Sequence, residues 1–184
     1  MERLWPPFDK GPGCVGCLLE RKGSRFVPGY GRFTSALVAI GEEPGPCETG
    51  DCECAPLAHP RGQPFVGKSG RKMDIGLGGS REDVFFTNVR KCRFDGEETK
   101  EEKAASIDHC IRAYLQPEMA AIDRAHKAGN ITHAVILTIG ADATRAVFGR
   151  GNMSKMHGTS FTKVERDRMA VAGRGDEGCD ADPT

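Results

Sequence analysis

The chain has 184 residues, which is enough to bury the core of one domain but makes two domains cramped. Lys and Arg together number 26, as do Asp and Glu, so the formal net charge is zero. This balance excludes a strongly basic nucleic-acid coat protein, although it leaves room for a local basic groove.

The beginning of the chain, MERLWPPFDK, has no apolar run behind a basic head and therefore predicts no signal peptide. No stretch approaches the roughly 20 apolar residues of a membrane span. We therefore expect a cytoplasmic protein with no membrane association. In that compartment, the eight cysteines are better explained by metal or cluster ligation than by four disulfides.

Apolar runs and helical periodicity alternate along the chain. They predict, in order, strand 35–41, helix 68–77, strand 83–89, helix 100–129, strand 132–140 and helix 141–149. Continuous apolar runs are typical of strands buried on both faces, and this alternation is typical of a parallel α/β sheet. In such sheets ligands bind beyond the carboxyl ends of the strands. The three strand ends here read GEEPG, TNVRKC and TIGAD.

Details within this pattern add to the prediction. Pro117 is expected to kink or divide the long helix, and Gly129 and Gly149 to end the two helices they follow. Near the carboxyl end, MAVA (169–172) could be a short final strand, whereas the polar segment after it is typical of disorder.

The cysteines fall into two groups. Cys14 and Cys17 form a CxxC motif in a Gly/Pro loop, a spacing shared by zinc ribbons, redox motifs and iron–sulfur sites. Cys92, at a strand end, and Cys110, on the following helix, could complete a four-thiolate site. Zinc or a 4Fe–4S cluster would satisfy that site equally well, and two small buried hydrophobic side chains are the alternative.

The second group consists of Cys47, Cys52 and Cys54, with His59 nearby. A zinc site is conceivable here. The composition favours a surface loop with incidental thiols.

A series of short motifs follows in a fixed order: CxxC, GEEPG, PFVGKSG, FFTNVRKC, a helical cysteine and VILTIGADA. This order resembles the family 4 uracil-DNA glycosylases, the iron–sulfur branch of that superfamily, over about residues 10–165. The resemblance implies a three-layer α/β/α fold with a central, mainly parallel four-stranded sheet. It also implies a monomer that acts on DNA containing uracil, with a domain at 1–168 that includes an amino-terminal cluster-binding loop and an atypical tail at 169–184. The implied cofactor is a 4Fe–4S cluster on Cys14, Cys17, Cys92 and Cys110.

The resemblance also implies roles for the residues at the strand ends. Asn88 would read uracil, because one amide offers a donor and an acceptor to O4 and N3–H. Glu42 would position water and stabilise a cationic sugar, and Phe65 would stack on the extruded base. The remaining substrate-binding positions would be Gly41, Glu43, Pro44, Gly45, Glu48, Lys68 and Ser69. Glu43 competes with Glu42 for the catalytic role.

Two further expectations concern the surroundings of this site. The cluster would be structural, joining the amino-terminal loop to the strand end of Asn88, and it would orient Arg90, Lys91 and Arg93 toward the DNA backbone. The family's His-Pro-Ser motif, however, is missing. Arg174 falls about where its histidine would stand, so either the gene is truncated or shifted in frame near Ala172, or this branch works without the motif.

Three functions therefore stay open. The leading one is a uracil-DNA glycosylase of base-excision repair, with activity impaired by the missing motif. The second is a catalytically weak or inactive iron–sulfur DNA-binding module of the same fold. The third is an interaction protein with a zinc ribbon.

Overall fold

A computed structural model describes residues 2–20, 25–52, 59–78, 81–93, 96–129, 131, 134–149 and 158–159. Three parallel strands form the sheet in this part of the chain: β1 (Leu37–Gly41), β2 (Val84–Asn88) and β3 (Val135–Thr138). Their order is β2-β1-β3. The three predicted strands are confirmed. The fourth, predicted at 169–172, lies outside the described residues, as does the predicted tail.

The three predicted helical regions are also confirmed, and the short helix that follows β1 was not predicted. The helices are α1 (Pro46–Thr49), α2 (Lys68–Gly76), α3 (Lys100–Cys110), α4 (Gln116–Ala128) and α5 (Ala141–Phe148). A π-helical segment, Ile111–Leu115, joins α3 to α4 immediately before Pro117. The predicted division of the long helix is therefore confirmed, as a wider turn that leads into the proline. A capping box at Thr99 begins α3.

The side chains of the sheet alternate between two helical layers. Val38 and Ile40 pack with Phe85 against α4 and α5, in a cluster that includes Leu115, Ile122 and Ala143. On the opposite face, Ala39 and Phe86 pack with Phe65 and with Met73 of α2. Because successive residues of a strand point to opposite faces, continuous apolar runs are needed for this arrangement. The predicted three-layer α/β/α architecture is thus observed.

The register of the sheet brings the strand ends together. Gly41 lies opposite Asn88, and Ile40 lies opposite Thr138. All three strands are parallel, so the segments that follow them leave the sheet at one edge. No helix in the described part of the chain is long and apolar enough to cross a membrane.

Candidate functional site

The carboxyl edge of the sheet opens into a cleft of about 590 Å³. Its lining includes nearly every substrate-contacting residue predicted from the sequence: Gly41, Glu42, Glu43, Gly45, Glu48, Phe65, Lys68, Ser69 and Asn88. Pro46, Cys47, Gly67, Ile139 and Gly140 complete it. Pro44, also predicted, is buried beside the cleft without lining it.

Asn88, the last residue of β2, is 2 % exposed. Its Nδ2 is buried and has no hydrogen-bond partner. A buried donor without a partner costs free energy, so such groups are rare in folded proteins and call for an explanation. Gly41 contributes to the same arrangement, because a Cβ there would collide with Asn88 Oδ1 and with the ring of Phe65. The absence of a side chain at Gly41 therefore leaves room for the Asn88 amide.

Glu42 follows β1 and reaches the beginning of α5. Its Oε1 accepts a hydrogen bond of 3.0 Å from the backbone N–H of Asp142, in the first turn of that helix. Gly140, with φ of 100°, lies so close that a Cβ would collide with the Glu42 carboxylate. The Glu42 side chain is therefore held at the amino terminus of α5, where the helix dipole favours a negative charge, and it lines the cleft.

Glu43 is engaged elsewhere. Its Oε2 is in contact with Arg90 NH2, and Arg90 NH1 donates to Glu98 Oε2 at 3.0 Å. Arg90 is only 2 % exposed. The two adjacent glutamates are therefore distinguished by their partners: Glu43 forms an ion pair and Glu42 accepts from a backbone amide.

Phe65 is buried beneath the cleft with a left-handed backbone, φ 58°. Glu48, on α1, is 7 % exposed and accepts hydrogen bonds from the N–H groups of Gly45, Phe65 and Val66. Burial raises the pKa of the Glu48 carboxyl from 4.5 to about 7, although these three donors act in the opposite direction. Lys68 and Ser69 are exposed in the first turn of α2, where helix N–H groups favour an anion.

The predicted orientation of the basic cluster after β2 is wrong for two of its members. Arg90 is buried in the ion pairs described above, and Lys91 is completely buried. Lys91 Nζ donates to Glu118 Oε2 at 2.8 Å, to Thr87 Oγ1 at 2.5 Å and to the Asn88 carbonyl at 2.7 Å. Because both side chains are buried in these ion pairs, neither cation is exposed for contact with a DNA backbone.

The four predicted cluster ligands lie around a cavity that Arg90 and Lys91 also line. Cys14, Cys17, Cys92 and Cys110 are free thiols that line one small cavity. Burial raises the pKa of Cys92 to about 12 and that of Cys110 to about 11. The backbone N–H of Lys91 donates to the Cys110 sulfur, and Tyr114 Oη lies 3.0 Å from Cys14 Sγ.

Four thiols can hold a single metal ion or an iron–sulfur cluster, and these two kinds of centre need different arrangements of the sulfurs. No three His, Cys, Asp or Glu side chains of the described residues are grouped closely enough to hold one metal ion. A zinc ion needs all its sulfurs about 2.3 Å from one point, whereas a 4Fe–4S cluster takes one thiolate on each of four separated irons. Burial raises the pKa of three of these thiols, those of Cys14, Cys92 and Cys110, and a bound metal centre would supply the positive charge that stabilises thiolates.

Sequence reasoning missed some residues of this region. Cys47, expected in a surface loop, is 7 % exposed on α1 and lines the cleft. Its Sγ lies 2.8 Å from Cys52 Sγ, so the two sulfurs form a close pair. Cys54 lies outside the described residues, as do 160–184, which include Arg174.

The family model described as the uracil DNA glycosylase superfamily matches residues 28–174. The chain belongs to the uracil-DNA glycosylase superfamily. The type-4 uracil-DNA glycosylase of Saccharolobus solfataricus is 34 % identical over 171 residues, which cover 88 % of this chain and 69 % of that relative.

Other members of the superfamily match shorter shares of their own length. The type-4 enzyme of Sulfurisphaera tokodaii is 30 % identical over 168 residues, covering 86 % of this chain and 66 % of the relative. That of Archaeoglobus fulgidus is 35 % identical over 104 residues, covering 54 % and 47 %. The chain thus spans between about half and two thirds of the length of these relatives.

Proposed function

We propose that this member of the superfamily is a uracil-DNA glycosylase, which hydrolyses the N-glycosidic bond of uracil in DNA. The observation that carries the proposal is the buried, unpartnered Nδ2 of Asn88 in a cleft shared with Glu42 and Phe65. Its named relatives are type-4 uracil-DNA glycosylases, which supports the same conclusion. That the protein acts as a monomer stays a prediction from the sequence.

Asn88 would select the base. Its Nδ2 would donate to uracil O4 while its carbonyl oxygen accepts from N3–H. Cytosine carries an amine in place of O4 and would leave two donors facing each other. Bound uracil would therefore satisfy the amide that is buried without a partner in the described structure.

Glu42 would serve the sugar. Cleavage leaves the base as an anion and gives cationic character to the sugar, so a carboxylate near C1′ stabilises the transition state and orients the attacking water. The Asp142 N–H fixes this carboxylate without removing its charge. Glu43 is a weaker candidate, because its carboxylate is paired with Arg90.

The other lining residues would hold the extruded nucleotide. Phe65 would stack on the base, and Glu48 would crowd the C5 side and disfavour thymine. The exposed Lys68 and Ser69, at the start of α2, would contact a phosphate. Gly41, Pro44 and Gly45 would let the backbone pass close to the DNA.

We also propose a 4Fe–4S cluster on Cys14, Cys17, Cys92 and Cys110. When bound, it would supply covalent links between the amino-terminal loop, the segment after β2 and the end of α3. Lys91 lies between the two sites: its N–H donates to the Cys110 sulfur and its ammonium donates to the Asn88 carbonyl. This contact supports a structural role in which cluster ligation stabilises the strand end of Asn88.

One feature of the sequence favours a second function, that of a catalytically weak DNA-binding module of the same fold. The His-Pro-Ser motif is missing from the sequence, and loss of one donor to the leaving base typically costs about 10²- to 10³-fold in rate. A protein slowed to this extent would bind uracil-containing DNA and release the base only slowly, so its main property would be binding. Loss of the family's segment that follows this motif and wedges into the duplex would weaken duplex substrates more than single strands, because single-stranded bases need less energy to be extruded.

Paired variants of the adjacent glutamates test the enzymatic proposal. Protein containing four irons and four sulfides per chain should release uracil from a labelled single-stranded oligonucleotide. Glu42→Gln should abolish most of that release, while the matched Glu43→Gln retains it. Loss of release in Glu43→Gln but not in Glu42→Gln would reverse the assignment, and binding without release by the unmodified protein would favour the binding module.

A further inference from the structure

Phe65 adopts a backbone conformation that is unfavourable for a residue with a Cβ. Its φ of 58° is left-handed, and among the described non-glycine residues only Phe8 shares a positive φ. Such a conformation persists only when the surroundings hold it, and it is found most often where a side chain must be aimed for function. The contacts around Phe65 show what holds it.

Arg81, at the turn before β2, binds this segment through its guanidinium. NH1 donates to the Phe65 carbonyl at 3.0 Å, and NH2 donates to the Pro64 carbonyl at 3.0 Å. Arg81 is only 9 % exposed. Because the guanidinium is planar and its donors are fixed relative to one another, two such bonds set the orientation of both carbonyls.

The guanidinium is itself fixed from two sides. Asp74 of α2 accepts from Arg81 NH1 at 2.8 Å. The guanidinium carbon lies 4.1 Å from the centroid of the Phe86 ring. Phe86 in turn packs against Phe65, with ring centroids 5.7 Å apart and planes at 47°. Arg81 therefore contacts both the backbone of Phe65 and the ring that supports it.

The opposite side of the peptide is also held. The Phe65 N–H donates to the Glu48 carboxylate, so Phe65 is bound by an acidic group at its N–H and a basic group at its C=O. At Gly70 of α2, a Cβ would collide with the Phe65 carbonyl. Helix α2 can approach the segment this closely only because residue 70 is glycine.

We propose that Arg81 is a positioning residue for base recognition: it holds Phe65 at the angle at which the ring stacks on an extruded uracil. The inference rests on the proposed function, because it needs a base on the ring. Arg81 does not line the cleft and so acts through Phe65 rather than by touching the substrate. The loss of affinity for the base on substituting Arg81 should therefore not exceed the loss on removing the Phe65 ring.

A double-mutant cycle on binding tests this role. The probe is a single-stranded oligonucleotide with one 2′-fluoro-2′-deoxyuridine, a nucleotide whose fluorine resists cleavage by disfavouring the cationic sugar. The reference probe has an abasic analogue at the same position. Arg81→Lys, Phe65→Ala and the double variant are compared with Arg124→Lys, a matched change at an exposed arginine of α4.

Arg81→Lys keeps the charge near Asp74 but loses the fork that holds two carbonyls. We expect it to raise the Kd for the uridine probe about 5-fold or more, within the loss shown by Phe65→Ala, since one base stacked on an aromatic ring contributes about 5- to 150-fold. Its Kd for the abasic probe should change by less than about 2-fold. In the Phe65→Ala background the same substitution should add less than about 2-fold for either probe.

The contrary outcomes are distinct. If the loss of affinity in Arg81→Lys persists in the Phe65→Ala background, or is equal for the abasic probe, Arg81 only supports the fold. An unchanged Kd of Arg81→Lys for the uridine probe would also overturn the proposal. If the unmodified protein did not distinguish the two probes, the proposed function would fail together with the inference. Should Arg81→Lys fail to fold, Asp74→Asn provides the same test with a smaller expected shift, because it removes the charge that helps to hold the guanidinium.

Discussion

Asn88→Ala should separate activity from stability. The Nδ2 of Asn88 is buried without a partner, a situation that costs about 1–3 kcal/mol. Truncation removes this cost but also removes packed atoms, and a methyl-sized void costs about 1 kcal/mol. The two effects oppose each other, so the free energy of unfolding should change by no more than about 2 kcal/mol. Uracil release should nevertheless fall about 10²- to 10³-fold, as expected when an interaction with the leaving base is lost.

Thr87→Ala is the matched control, one residue earlier on the same strand. The Thr87 hydroxyl donates to Glu118 Oε2 at 2.6 Å and accepts from Lys91, and Thr87 does not line the cleft. Its removal should therefore lower the free energy of unfolding by about 1–3 kcal/mol, with a smaller effect on release than Asn88→Ala has.

Both variants would be measured by urea unfolding and by single-turnover release from a single-stranded oligonucleotide. The reasoning fails if Asn88→Ala destabilises the protein by more than about 3 kcal/mol, which would make the amide structural. It also fails if that variant retains full release with an unchanged preference for uracil over cytosine.

Three further substitutions test other parts of the site. Glu118→Ala should lower the free energy of unfolding in urea by about 3–5 kcal/mol, because it leaves the buried Lys91 without its carboxylate. The double substitution Glu118→Leu with Lys91→Met should recover much of that loss. Glu48 has a folded-state pKa above its unfolded value, so its contribution to stability is present below pH 4.5 and is lost as pH rises through about 7. Glu48→Gln, which does not titrate, should accordingly flatten the change of the unfolding free energy across this window, and an unchanged pH profile would contradict the burial argument. Gly140→Ala should displace the Glu42 carboxylate and lower uracil release by about 10- to 100-fold with iron content unchanged; full release would show that the close approach is unimportant.

The sequence predicted which residues with short local motifs lie together at the cleft, and their roles stay predictions. Asn88 ends a strand and Glu42 follows one, and a parallel sheet brings such ends to one edge, whereas Phe65 precedes α2 and was placed only by the resemblance. The cysteines could likewise be placed together, because a strand end and the helix after it pack against each other. The positions of Glu42, Asn88, Cys92 and Cys110 therefore follow from the order of strands and helices along the chain.

Residues whose roles depend on long-range pairing were not predicted. Lys91 is adjacent in sequence to other cations and looks like part of a basic surface, but its carboxylate partner, Glu118, is 27 positions away on α4. Arg81 stands in a charged turn, and only the structure shows that it reaches back to the carbonyls of Pro64 and Phe65. The contact of Glu42 with Asp142 is likewise formed between segments that are 100 positions apart.

The central claim is tested most directly by release of free uracil from a single-stranded oligonucleotide, using protein with its iron and sulfide intact. The account predicts release of uracil, no release of cytosine from the matched oligonucleotide, and loss of the activity in both Glu42→Ala and Asn88→Ala. Tight binding of the same oligonucleotide with no uracil released would contradict the account, and would mean that the cleft has kept recognition of the base without the chemistry.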